Sequence, residues 1–154
     1  MDGVLCNFEK GAIEAINREL ASENPKNPEL AAKVINDLGR NYVTVDDIQK
    51  FSPGKSSAAT KYMYKLAHDD VDFWANLEWQ PGGKQLWAYI RQFDPDILTS
   101  PMDKQGHNES LEGKLIWVER NLGLSPDKVN FAHDKYKYAV SEDGKPNVLI
   151  DDFE

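Results

Sequence analysis

Cysteine is almost missing from this chain. Cys6 is the only one, so no internal disulfide can form, and a reducing compartment is the default expectation. Basic charge is also in short supply. Eighteen Lys and Arg face 26 Asp and Glu, leaving a net charge of −8, which argues against the broad basic footprint that an extended nucleic acid requires. A small anionic ligand is not excluded, because a bound divalent cation reverses the local field. No apolar run approaches the ~18 residues of a membrane span. No basic, apolar and small-residue leader pattern opens the chain. The expectation is a soluble, cytoplasmic protein with no membrane partner. Histidine is sparse, and His68, His107 and His133 are too scattered to suggest a zinc site. The stretch from Asp103 to Lys114 has no Gly at its sixth position and no Glu at its twelfth, so it is not a calcium loop.

What is present is enough for one packed domain. The chain has 154 residues, is 40% hydrophobic and carries four Trp, six Tyr and six Phe. Ile13, Ile16 and Leu20 recur at helical spacing after residue 8. Asn27-Pro28 reads as a cap and first turn for a second helix carrying Leu30, Val34 and Leu38, which stops at Gly39. Thr44 to Asp47 suits a short helical turn through Ile48 and Phe51. Ser52-Pro53-Gly54-Lys55 is a loop, and Ala59, Met63 and Leu66 give another helix. A loop is expected around His68-Asp69-Asp70, and Pro81-Gly82-Gly83 precedes a helix with Leu86, Ile90 and Phe93 on one side.

The second half alternates differently. Ile97-Leu98-Thr99-Ser100-Pro101 reads as a short buried strand ending in hydroxyls. Leu111, Leu115, Val118 and Leu122 mark a helix closed by Gly123. Val129 to Ala132 and Val148-Leu149-Ile150 read as further strands. This order predicts an α/β fold with a largely parallel sheet.

Ligands in open α/β sheets gather at the carboxyl ends of strands. Three such ends carry chemistry here: Asp2, Thr99-Ser100 and Asp151-Asp152, with Lys114 near the start of the helix after Thr99-Ser100. Carboxylates from two strands suit a hard cation such as Mg²⁺. A hydroxyl and a lysine suit phosphoryl oxygens. Singly, each has an ordinary explanation: Asp2-Gly3 as a turn, Lys114 as a solvated helix lysine, Asp151-Asp152 as a solvated end. Their order is what carries the chemical reading.

In that order the chain resembles the haloacid-dehalogenase-like phosphatases, and within them the 5'(3')-deoxyribonucleotidases. The matching stretches are residues 1–9, 73–83, 97–101, 111–123 and 147–152. The resemblance implies a Rossmann-like core made of residues 1–8 and 81–154, with residues 9–80 forming a helical cap that closes over substrate. It implies a Mg²⁺-dependent phosphomonoesterase acting on nucleoside monophosphates, with Asp2 as general acid/base and its carbonyl on Mg²⁺. Thr99 and Ser100 would hold phosphate, Lys114 would neutralise charge, and Asp152 would ligate the metal with Asp151 in support. Phe8, Phe73 and Trp74 fall where relatives build a nucleobase pocket, a stack worth ~1–3 kcal/mol. For these three, ordinary core packing is an equal alternative.

Relatives carry a nucleophilic Asp one residue before the position of Met1, behind an apolar strand. The 154 residues alone are therefore expected to be inactive as a hydrolase. Two other readings stand beside this one: the same core acting on a sugar phosphate or polynucleotide end, and a non-catalytic phosphate-binding protein. The expected partner is a small-molecule nucleotide, and a homodimer is left open.

Overall fold

The computed structural model describes residues 1–49, 57–102 and 109–151, and within them the chain is mixed α/β with helices dominant. The expected loop at Ser52-Pro53-Gly54-Lys55, Phe51 before it, and Asp152 lie outside the described residues. Among the described residues no helix is long and apolar enough to cross a membrane.

The first half is helical, and its helix ends follow from local chemistry. Helix α1 (Phe8–Ala21) starts where the Asn7 side chain accepts from the Lys10 N–H, and it buries Ala12, Ile16 and Leu20. Helix α2 (Pro28–Leu38) is capped by Asn27, which accepts from the Leu30 N–H at 3.1 Å. It ends at Gly39, whose φ of 67° is a left-handed conformation that glycine adopts without steric cost. Thr44 precedes α3 (Val45–Gln49), and the Asp47 carboxylate turns back to accept from the Thr44 N–H at 2.7 Å and from Arg40 at 2.6 Å. Helix α4 (Ala58–Asp69) is capped by Ser57. The loop expected at His68-Asp69 is instead its last turn. Asp70 alone breaks the helix, because its carboxylate caps α5 (Val71–Ala75) by accepting from the Asp72 and Phe73 N–H groups.

Helix α6 (Gly83–Ile90) continues as a tighter turn at Arg91–Phe93, which leaves Phe93 exposed rather than on a shared apolar face. Strand β1 (Ile97–Thr99), helix α7 (Glu109–Leu122) and strand β2 (Val129–Phe131) follow. β1 and β2 pair in parallel, with Ile97 opposite Val129 and Thr99 opposite Phe131. Parallel neighbours need a crossover, and α7 lies on that connection.

The third expected strand does not form. Val148, Leu149 and Ile150 are 91%, 54% and 47% exposed and pair with neither β1 nor β2. An apolar, β-branched run becomes a strand only where a partner edge completes its hydrogen bonds. Among the described residues the sheet therefore has two strands.

The helical half is tied to the rest at several places. Cys6 bridges antiparallel to Trp79, flanked by the Asn7 N–H on the Glu78 carbonyl and the Gln80 N–H on the Leu5 carbonyl, both 2.8 Å. Helix α5 also packs closely on α7. Gly113 makes that approach possible, since a Cβ there would stand 2.6 Å from Trp74 Cβ and would strike the Val71 carbonyl. Trp117 donates its indole N–H to the Leu77 carbonyl at 2.7 Å, and Arg120 donates to the Ala75 carbonyl at 3.1 Å.

Candidate functional site

Residue 2 begins the site. Asp2-Gly3 is a tight turn, with Gly3 at φ 72° and the Leu5 N–H returning to the Met1 carbonyl at 2.8 Å. The turn presents the Asp2 side chain, 34% exposed, toward the carboxyl end of β1. There Thr99 is buried, and the Ser100 hydroxyl donates to the Ala132 carbonyl at 3.2 Å, joining the chain beyond β1 to the end of β2.

Lys114 reaches the same point from the first half of α7 with no exposed surface at all. Its ammonium donates to Asp2 Oδ2 at 3.2 Å, to Thr99 Oγ1 at 3.2 Å and to the Ser100 carbonyl at 2.8 Å. An ammonium has three N–H donors, and three oxygens take them. The ammonium also lies 4.2 Å from the centroid of the Trp74 ring. Burial pushes the Lys114 amine below the ordinary lysine range, and the neighbouring Asp2 carboxylate partly restores it. Asp2 Oδ1 is buried and accepts no hydrogen bond.

A cavity of about 580 Å³ opens beside this cluster, lined among others by Asp2, Asn7, Phe8, Thr99, Ser100 and Lys135. Lys114 does not line it. Lys135, in the turn after β2, does, and its amine sits 2.5 Å from Asp151 Oδ2. Lys135 is not among the residues expected from the sequence. It follows a strand end, the same signal that singled out Thr99 and Asp151, and that signal would have found it.

The expected residues therefore separate. Asp2, Thr99, Ser100 and Lys114 converge at one end of β1, and Asp151 is joined to the same cavity through Lys135. Asp152 lies outside the described residues. Of the three aromatics, Phe8 lines the cavity. Phe73 and Trp74 do not; both are buried, with Phe73 edge-on to Phe8 at 5.6 Å and Trp74 tilted against it at 5.2 Å. The Trp74 indole N–H donates to the Ala67 carbonyl at 2.6 Å. These two rings pack against Phe8.

For Mg²⁺, the donor chemistry fits in kind. Asp2 and Asp151 are oxygen donors of the kind Mg²⁺ takes, and Asp2 Oδ1 has no hydrogen-bond partner, although the Asp2 carboxylate is paired with Lys114 and that of Asp151 with Lys135. Among the described residues no group of three or more His, Cys, Asp or Glu side chains converges.

Cys6 lies directly beneath. It is fully buried, and burial together with the Asp2 charge pushes its thiol up to about 12. No protein-family model matches the chain, and neither a curated protein nor a solved structure is significantly similar to it.

Proposed function

We propose that the cavity at the end of β1 binds the phosphoryl group of a phosphomonoester. In this reading the chain carries the phosphate-handling half of a Mg²⁺-dependent phosphatase related to the haloacid-dehalogenase-like nucleotidases. One observation carries it: a fully buried lysine holds a carboxylate, a hydroxyl and a strand-end carbonyl together at the rim of a polar cavity that a second lysine lines.

The two lysines divide the work. Lys114 has every donor engaged, so it fixes the Asp2 and Thr99 side chains and contributes a constant positive field. Lys135 lines the cavity and is 30% exposed, so it is the cation that meets phosphoryl oxygens. Thr99 and Ser100 orient those oxygens, and Asp2 is the acid that protonates the leaving oxygen and the base that later activates water. Mg²⁺ would be held by the Asp2 carbonyl and by Asp151 and Asp152, where it neutralises charge on the phosphoryl oxygens. The attack itself belongs, in the family pattern, to a carboxylate immediately before Met1. Phe8 offers one aromatic face for a nucleobase, which favours a nucleoside monophosphate among phosphomonoesters.

The experiment has two arms. The 154-residue chain is titrated with inorganic phosphate by calorimetry, and a protein carrying an apolar strand and Asp ahead of Met1 is assayed with Mg²⁺ on deoxynucleotides, ribonucleotides and sugar phosphates. Phosphate release from nucleotides supports the reading. Turnover confined to sugar phosphates moves the substrate class. No binding in the first arm and no turnover in the second defeats it.

A further inference from the structure

Trp74 is a fully buried side chain in the helical half, yet it touches the site. Its ring centroid lies 4.2 Å from the Lys114 ammonium, which Asp2, Thr99 and Ser100 also hold. The ring is itself immobilised, by its indole bond to Ala67, by Phe8 and Phe73, and by α7 pressed against it at Gly113. An aromatic face carries negative charge and attracts a cation most strongly where water is excluded. Three oxygens set the hydrogen-bond directions of the ammonium, and the ring adds an electrostatic attraction to the same charge from the helical half.

We propose that Trp74 is a positioning residue of the site, acting through Lys114: its ring face fixes the ammonium against Asp2 and Thr99. This rests on the phosphate reading only for its functional consequence, since the contact itself exists without ligand. It makes the helical half part of the site's rigidity.

The test uses the 154-residue chain. Trp74→Leu removes the ring face, Trp74→Phe keeps one, and site-specific replacement of Trp74 by fluorinated tryptophans weakens the face while preserving shape, should Trp74→Leu fail to fold. The ligand-free readout is the exchange-protected Lys114 ammonium signal by NMR. It is expected to be strong in the native chain, to fade progressively with fluorination, to persist in Trp74→Phe and to vanish in Trp74→Leu. Inorganic phosphate affinity is expected to fall roughly tenfold in Trp74→Leu, the scale of a desolvated cation–ring contact. The same change is expected to cost nothing further in a Lys114→Met background.

An unchanged Lys114 signal across the fluorinated series overturns the proposal. So does an equal loss of phosphate affinity with and without Lys114. If the native chain binds no phosphate, the functional reading fails instead, and the ammonium signal alone decides the role of Trp74.

Discussion

Lys135 and Asp151 meet at 2.5 Å beside the cavity, so an anion entering it competes with a carboxylate that already holds the lysine. Asp151→Asn is expected to strengthen inorganic phosphate binding in metal-free buffer. Lys135→Met is expected to weaken it tenfold or more, the worth of a charge-assisted hydrogen bond. Stability should barely move in Lys135→Met, because partly exposed ion pairs contribute ~0–1 kcal/mol. Calorimetric phosphate titration with parallel urea unfolding separates the two effects, and equal affinity in all three proteins would remove Lys135 from the site.

Lys114→Met is expected to behave differently, costing stability as well as affinity. It leaves Asp2 and Thr99 without their shared donor. Asp2 is 34% exposed, so solvent screens part of the stranded charge, and the loss should fall short of the ~3–5 kcal/mol of a fully buried broken pair. Urea unfolding measures it, and an unaltered midpoint would contradict the buried network.

Gly113→Ala is expected to destabilise the protein by about 1–3 kcal/mol, as overpacking does. The added methyl meets the Val71 carbonyl and Trp74 Cβ, neither of which can swing aside. Thermal unfolding gives the number, and a neutral result would mean that α5 and α7 sit further apart.

Cys6 should resist thiol reagents at neutral pH while the chain is folded and react at once in denaturant. Burial, and then the Asp2 charge, oppose the thiolate and push the folded thiol up from 9.0 to about 12. The raised value means that folding favours the protonated form. This contribution is whole below about pH 9 and is lost as pH rises from there toward 12. Unfolding midpoints from pH 8 upward, compared with Cys6→Ala, should show a steeper fall in the native chain.

Much of the helical half was legible because helix ends are local. Asn27 and Gly39 act on backbone groups three or four residues away, so the local sequence reveals them. The strands were legible only where a partner existed. Ile97–Thr99 found β2, whereas Val148–Ile150, equally apolar, found no edge among the described residues, and nothing in its own residues distinguishes the two. The same limit applies at the site. Asp2, Thr99 and Lys114 announce themselves by type and order, but which lysine faces the cavity depends on how its donors are used in three dimensions. His68-Asp69 misled for a simpler reason: polar residues in the last turn of α4 look like a loop until Asp70 is seen to cap the next helix.

The antiparallel bridge between Cys6 and Trp79 has a consequence in time. Asp2 is far along the chain from Thr99 and Lys114, and residues 5–7 meet residues 78–80 across the whole helical half. Loop-closure entropy grows only slowly with length, but it is met before distant contacts return anything. Helices α1 to α5 build from short-range contacts, shorten the effective loop, and deliver residues 5–7 to residues 78–80 already in register. The site is therefore expected to be among the last parts of the molecule to assemble, at a pace set by helices that stand largely outside it.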